Sequence, residues 1–594
     1  MSQPCRRWQA CPQAPPSHVA RFPHLHPVTV QVLYGRGLTQ PSEVAAFLDG
    51  TQGDSDPFAL AGVEAAVERL RRALQAGERI AVYGDFDVDG VSATAVLVLT
   101  LRALGGSAQA YIPHRVEEGY GLNVQALDRL AAQGVSLVVT ADCGARSIAE
   151  VAHARTQGLD IIITDHHSTA PDLPPAVALV DPKQPGDRYP FGELAGVGIA
   201  YRLAQALLRT LSTPRDCSPN GRLDEHDLLD LVALGTVADL VPLREENRTL
   251  VQQGIEQLNR LERPGIEALC RQAGIRPGRV DATAISYALG PRLNAAGRMD
   301  HAGIAYELLT AEFPVEAERL AARLEGLNRE RQRLTAELIE RARAVAEREL
   351  EKGPLLFLVD PDYAVGIAGL VAGRLVEEFH RPVVVVERGR TFSRGSARSI
   401  VEFDITGALD ACADLLVQHG GHAAAAGFTA RTEHLEALAE RLRALASEQL
   451  GLQPPAPVLP VDAEVPLHTL TWDVQRELAR LEPFGYANPP PLFLSRGVRV
   501  RRQSPVGAER QHLRLVLYDG RITWDGIAFR RGEWADRLPD CVDIVYHLEV
   551  NEWRDEPRLQ LNIQDLRPSG FDETLSRLWL TEDQPPSEDA PCAC

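Results

Sequence analysis

The sequence predicts an α/β protein with four parts. They are a parallel, doubly wound sheet, a long connecting helix, a smaller second α/β unit and a C-terminal β-barrel of OB type. Three observations predict this. From residue 60 onward, short apolar runs alternate with helical patterns, as in βαβ units. From residue 315 to about 350, apolar residues at helical spacing and dense Glu/Arg pairs run unbroken except for Gly326. Five short strand patterns then follow the last proline-rich break, which suits a small closed barrel.

Residues 1–55 are rich in Pro and His with little periodicity and read as an N-terminal extension. The first α/β domain spans 56–313. A helical stretch at 63–74 precedes the apolar run at 80–83, and further runs follow at 108–112, 136–140, 160–164 and 177–180. Residues 221–345 are mainly helical. The connecting helix at 314–352 would be roughly 50 Å long and ends at Gly353-Pro354. In the second α/β domain, 353–455, a strand at 355–359, a helix at 366–379 and a strand at 382–387 are expected. The barrel, 456–570, has strand patterns at 498–502, 513–517, 523–529, 544–550 and 559–563. The tail, 571–594, carries six acidic residues against Arg577, and disorder is expected there.

Composition sets limits. The chain has 594 residues, 45% hydrophobic and 24% charged, ordinary values for a globular protein. No run of 18 apolar residues occurs, so a membrane-spanning helix is excluded. The nine cysteines are scattered without CxxC spacing, which excludes a zinc ribbon or a disulfide framework. The N-terminus lacks an apolar signal core, and a reducing cytoplasm is expected. Net charge is −19, yet local patches decide nucleic-acid binding. Only Lys183 and Lys352 are lysines, so phosphate contacts must come mostly from arginine forks. Residues 491–535 hold nine arginines against four acids, with Phe493, Tyr518, Trp524 and Phe529 among them. A basic barrel face with stacking aromatics suits a single strand, although alternation turns some of these rings inward.

The strongest signal is a set of carboxylates and imidazoles placed where strands end. Tyr83-Gly84-Asp85-Phe86-Asp87-Val88-Asp89-Gly90 follows the first strand, with three aspartates at alternate positions and a helix opening at Gly90 and Ser92. Ala141-Asp142-Cys143-Gly144 and Thr164-Asp165-His166-His167 follow two more strands. Gly235-Thr236-Val237-Ala238-Asp239 ends a helical stretch. Any one of these could be a helix cap, but three on successive strand ends of one sheet are hard to explain that way. Oxygen and imidazole donors without thiolate suit Mn²⁺ or Mg²⁺. Several carboxylates can hold two such ions, and the natural reaction is hydrolysis of a phosphoester. No GxxxxGK[ST] occurs, and Gly196-Val197-Gly198 reads as a helix entry.

These four motifs resemble, in order and spacing, those of the DHH phosphoesterase superfamily. Pro291-Arg292-Leu293-Asn294-Ala295-Ala296-Gly297-Arg298, Gly395-Ser396-Ala397-Arg398-Ser399, Gly420-Gly421-His422 through Phe428, and Pro483-Phe484-Gly485-Tyr486 are similar to its RecJ branch. The resemblance covers about residues 30–570. It implies a DHH domain, a DHH-associated domain and an OB domain. It also implies a single-strand-specific 5′→3′ DNA exonuclease of repair and recombination using two Mn²⁺ or Mg²⁺ ions. Metal roles fall to Asp85, Asp87, Asp142, His166 and Asp239, with Asp142 bridging. Asp89 and Asp165 would support the ligands, and His167 would face the scissile phosphate, with Asp142 and Asp165 completing the catalytic set. Arg298, Ser396, Arg398, Gly421 and His422 would contact substrate phosphate, joined by Asn294 and Arg374. Tyr120 would lie near the terminal nucleotide. Tyr83 stands where some relatives carry His.

The expected partner is single-stranded DNA, with a helicase and a single-strand-binding protein as companions; a monomer is expected. Two alternatives stay open at this point. A small-substrate phosphodiesterase, acting on oligoribonucleotides or cyclic dinucleotides, would have no use for the basic barrel. A non-catalytic replication scaffold would not need every motif carboxylate.

Overall fold

The computed structural model describes residues 6–50, 55–211, 223–451, 456–552 and 556–570; the expected acidic tail lies outside them. The chain divides into two compact units. One comprises Gly50–Pro454 with Pro483–Asn488, the other Met1–Asp49, Pro455–Glu482 and Pro489–Cys594.

In the first unit, five parallel strands lie in the order Ser107–Tyr111, Arg79–Gly84, Val135–Ala141, Asp160–Thr164, Ala178–Val180. Such a sheet must be covered on both faces, which is why its strands read as unbroken apolar runs. Val63–Ala76, Val88–Ala103, Gly196–Thr210 and Leu229–Ala238 pack into one core with Ile80, Val82 and Leu137. Val124–Ala132 and Ile148–Thr156 pack into the other with Ala81, Tyr83 and Val138. Parallel pairing brings all the carboxyl ends to one edge, where ligands bind in such folds.

The connecting helix runs from Pro314 to Glu349, about 54 Å at 1.5 Å per residue, with proline at its first position. It packs on Gly290–Met299 and on Val365–Phe379. The second sheet has the order Leu416–His422, Ala425–Arg431, Phe392–Arg398, Val383–Glu387, Leu356–Asp360, antiparallel except for its last pair. The Gly-Ser-Ala-Arg and Gly-Gly-His motifs therefore sit on strands, where none was expected from the sequence.

In the second unit, Phe493–Val506, His512–Tyr518, Thr523–Ala528, Arg558–Pro568 and Cys541–Asn551 close into a barrel. The short strand Ala463–Glu464 adds to Phe493–Val506. The inside of the barrel holds Phe493, Leu515 and Trp524, and the indole of Trp524 donates to the Leu467 carbonyl.

The N-terminal extension is not an unstructured arm. Arg7–Ala10 pairs in parallel with Val458–Val461, and three helices follow: Pro16–Val19, Pro27–Gly35 and Pro41–Asp49. Each begins with proline. A first-turn N–H has no helical partner, so proline costs nothing there; read as loop punctuation, these prolines hid the helices. Trp8 ties the segment to the barrel unit. Its indole donates to Asp565 Oδ2 at 2.9 Å, and the Arg567 guanidinium lies 4.0 Å over its ring. Because Trp8 also packs on the cluster of Val461, Leu494 and Val545, Trp8→Ala should destabilise this unit by about 2–3 kcal/mol. Urea unfolding followed by Trp fluorescence checks this; an unchanged midpoint would mean that the strand is only laid on the surface.

Candidate metal centre and phosphate site

The strand-end residues converge at the carboxyl edge of the parallel sheet. Asp85 follows Arg79–Gly84 directly. Asp87 caps the helix Val88–Ala103, its carboxylate accepting from Gly90 N–H at 3.1 Å, so that helix opens two residues earlier than expected. Gly90 is required here: a Cβ would meet Asp85 Cβ at 2.6 Å. Asp142 holds a left-handed backbone, φ 64°, sparsely populated for a residue with a side chain. Gly196 lets a helix start against it, since a Cβ there would lie 2.6 Å from Asp142 Oδ1. Asp239 sits just past the end of Leu229–Ala238.

Three donor groups result: Asp85, Asp87 and Asp142; Asp142, His166 and His167; and Asp89, His166 and Asp239. In each, the donor atoms lie within 4.8 Å of one another. His166 Nε2 is 3.1 Å from Asp142 Oδ1 and 3.6 Å from Asp239 Oδ2. None of these contacts has hydrogen-bond geometry. Asp85 Oδ1, Asp142 Oδ1, Asp239 Oδ2 and both ring nitrogens of His166 are buried without a hydrogen-bond partner. Buried polar atoms are normally satisfied, so this set fits a cation. Hard carboxylates with a neutral imidazole suit Mn²⁺ or Mg²⁺.

The electrostatics agree. Burial, then repulsion from neighbouring aspartates, pushes the carboxyls of Asp85 and Asp142 well up and that of Asp239 to about 9. Burial and the charge of His167 hold His166 down at about 3, neutral and in its ligand form. Asp89 is buried and accepts from Gly196 N–H at 2.7 Å and Val197 N–H at 2.8 Å. It thus clamps a helix N-terminus as well as standing in one donor group. Asp165 opposes the trend. Burial would raise it, but the His167 imidazole at 2.8 Å and the N–H groups of Ala145, His166 and His167 hold it at about 2. Asp165 is a fixed anion that accepts a hydrogen bond from His167 Nδ1–H, leaving Nε2 of that ring for other work.

Tyr120 reaches in from a loop, its hydroxyl 3.2 Å from His167 Nδ1 and 3.4 Å from the Asp142 carbonyl. The loop is anchored from below. The buried Tyr83 hydroxyl donates to the Gly121 carbonyl at 2.9 Å and accepts from Asn123 at 3.1 Å. Glu118 caps His114 N–H and binds Tyr111 and Arg129. Tyr83 thus supports the Tyr120 loop.

The second sheet supplies the opposite wall. Gly421, φ 150°, lets the hairpin cross closely; a Cβ would lie 2.3 Å from the Ala425 carbonyl. His422 follows, its ring nearly parallel to that of His167 with centroids 5.8 Å apart. Ser396 and Arg398 alternate on one face of Phe392–Arg398. Asn294 and Arg298 lie one turn apart on Gly290–Met299. Arg298 donates to the Gly366 carbonyl at 3.0 Å. Burial, then the charges of Arg115, Arg331 and Arg398, push its guanidinium down to about 9. Such crowding of like charges marks an anion site.

Arg374 is not brought into this set. It forms a half-exposed ion pair with Glu377 one turn along its own helix, 2.7 Å. Three residues of the site were not found from the sequence. Arg115 lies over the Phe86 ring at 4.6 Å and faces Asp85 and Asp87. Asp181 and Lys183 follow Ala178–Val180, one more strand end of the same sheet. Asp181 is buried with Oδ2 unpartnered, and the Lys183 charge acts on His166, Asp239 and His422. The strand-end rule that found the other motifs would have found this one.

Residues 79–236 match the DHH family, N-terminal domain; 352–448 match the DHHA1 domain; 461–565 match the RecJ OB domain. The single-stranded-DNA-specific exonuclease RecJ of Bacillus subtilis is 36% identical over 94% of this chain and 70% of its own length. That of Escherichia coli is 37% identical over 86% of this chain and 91% of its own. A crystal structure of RecJ in complex with Mn²⁺ from Thermus thermophilus superposes with a TM-score of 0.81 at 29% identity, over 94% of this chain and 79% of that one. A second from the same organism, in complex with Mg²⁺, gives 0.75 at 28% identity, over 94% and 78%.

A pH dependence follows from the raised carboxyls. In the unfolded chain they ionise near pH 4, whereas in the metal-free native chain Asp239 keeps its proton to about 9. The native state binds the extra protons, so these groups make metal-free stability fall as pH rises between those values. A divalent cation replaces the protons. The stabilisation by Mn²⁺ over EDTA should therefore be larger at about pH 8.5 than at about pH 6 in thermal unfolding. Equal gains at both would contradict a metal centre built on these carboxyls.

Proposed function

The chain belongs to the RecJ family of single-stranded-DNA-specific exonucleases, and from that membership we propose that it degrades single-stranded DNA from the 5′ end, releasing 5′-mononucleotides, with two divalent ions at the strand-end carboxylates. The observation that carries the reading is the His167–His422 stack, which sets the arginine-bearing wall over the donor groups. Carboxylates alone would bind a cation; facing guanidinium groups, they bind a cation and a phosphodiester together.

Asp85, Asp87, Asp142, His166 and Asp239 would hold the ions, and Asp142 and His166 each belong to two of the donor groups. Bound there, the ions supply Lewis acidity to a phosphoryl oxygen and lower the pKa of water. The chain's own residues do the rest. Arg298 and Arg398, with Arg115 and Ser396, orient the phosphate by charge and forked hydrogen bonds. His167, its Nδ1 proton held by Asp165, presents Nε2 to the scissile group, where it can hold or pass a proton. Tyr120, its ring about half exposed and its hydroxyl anchored inside, offers a face to the terminal base.

The barrel supports the substrate class. Arg496, Arg514 and Arg531 are tied to Asp543, Asp525 and Asp565, so they do not make a free patch. Arg501 stacks on Tyr518 at 3.9 Å, and Phe529 is 54% exposed beside His512. Rings and guanidinium planes of this kind stack on unpaired bases.

The test uses 5′-phosphorylated DNA labelled at its 3′ end, with duplex and RNA controls, in Mn²⁺. A ladder that shortens while keeping the label, on single-stranded DNA alone, is expected. Asp142→Ala should lower the rate by at least about 10³-fold while the protein stays folded. Turnover of dinucleotides without cutting of long strands would move the reading to a small-substrate phosphodiesterase.

A further inference from the structure

The connecting helix carries a guanidinium that no ion pair accounts for. Along Pro314–Glu349, Arg323, Arg329, Arg333, Arg341 and Arg343 each contact a carboxylate. Among the described residues Arg319, Arg348 and Arg331 do not; the first two are exposed, whereas Arg331 is half-buried. It donates to Asn328 Oδ1 at 2.7 Å, and Asn328, one turn back, is itself 1% exposed. Its Nε is buried and has no hydrogen-bond partner. An unpaired buried donor on a cation is costly, more so beside another cation.

Helix packing sets Arg331 level with Arg298 along the two axes, where it also feels the charge of Arg292. The helix Gly290–Met299 lies along the connecting helix, with its early part fixed by Arg292 Nε on Glu325 Oε2 at 2.8 Å. Its end is fixed by Met299, which packs into the cluster of Leu334 and Leu338. Arg298 and Arg331 lie between those two fastenings, six residues on from Arg292 and Glu325 respectively. The charge of Arg331 is felt at Arg298 together with those of Arg115 and Arg398. Four guanidinium groups thus come from four places: the loop after the second strand of the parallel sheet, the Gly290–Met299 helix, the connecting helix and the second sheet.

We propose that Arg331 is a phosphate-binding residue, held ready by Asn328, so that the connecting helix forms part of the substrate site as well as joining the two α/β domains. This rests on the nuclease reading for the identity of the anion, a phosphodiester of the strand. Arg331 offers Nε and one terminal nitrogen to that anion while Asn328 keeps the other.

The test compares wild type with Arg331→Gln, Arg331→Lys and, as a control on the same helix, Arg333→Gln. Binding of oligo(dT) is measured in Ca²⁺ over a range of salt, with thermal unfolding of each variant. Arg331→Gln should weaken binding about ten-fold and make the plot of log K against log salt shallower by about 0.7. Arg331→Lys should restore the slope but only part of the affinity, and Arg333→Gln should change neither. Weaker binding with an unchanged slope would mean that Arg331 acts only through packing and would overturn the proposal, as would unchanged binding. Where Arg331→Gln does not fold, Arg331→Lys against wild type decides: equal affinity overturns the proposal. If the wild-type chain neither binds nor cuts oligo(dT), the nuclease reading falls, and the same variants are read with thymidine 5′-monophosphate. Loss on Arg331→Gln there still supports an anion site, and equal binding overturns it.

Discussion

Repulsion among buried carboxylates is the constraint on which the rest of the catalytic unit depends. Asp85, Asp89 and Asp142 are almost fully buried within one edge of one sheet, with Asp87 and Asp239 beside them. Burial and mutual repulsion outweigh the few N–H groups that favour the ionised state of Asp85 and Asp89. The fold holds them in place by restricting local backbone freedom elsewhere. Gly90 and Gly196 allow backbones to approach where no Cβ fits, Asp142 adopts a left-handed conformation, and the first N–H groups of Gly196–Thr210 close on Asp89. The parallel sheet makes this possible because its core is large and covered on both faces, so strained ends are carried by rigid strands.

The opposite wall has the same logic with the sign reversed. Arg115, Arg331 and Arg398 repel Arg298, and Arg115 repels Arg398, as the aspartates repel one another. Two like-charged clusters face each other through His167 and His422. On the proposed function, a phosphodiester with divalent ions would neutralise both at once. Net charge is a poor guide to such a protein: −19 over the chain coexists with a local excess of unpaired guanidinium.

Much of the site was legible in the sequence because strand ends are easy to find. An apolar run followed at once by Asp or His marks both the element and its working end, and Asp85, Asp142, Asp165, His166 and His167 all follow that rule. The rule extends to Asp181 and Lys183, which were missed because Asp-Pro-Lys reads as a turn. Arg115 and Arg331 were not legible. An arginine in a helix rich in Glu/Arg pairs looks like its neighbours, and only a buried Nε without a partner distinguishes Arg331 from Arg333. Arg374 shows the converse, since its resemblance to a substrate contact ends in an ion pair with Glu377. The proline-led helices before residue 50 were hidden for a local reason: proline at a first helical turn and proline in a loop look alike until the periodicity behind it is long enough to see.

Tyr83 shows how far support for the site extends from the chemistry. It lies one residue before the Gly84-Asp85 step, yet its hydroxyl points away from the carboxylates to the Gly121 carbonyl. One strand end therefore fixes two things: Asp85 by direct succession, and Tyr120 through the loop that Gly121 closes. A phenol buried and hydrogen-bonded to the loop cannot be a ligand without breaking that anchor. On the proposed function, the first motif would give its aspartates to the ions, while its tyrosine anchors the Tyr120 loop. Placement of Tyr120 and placement of Asp85 are coupled through a single rigid strand.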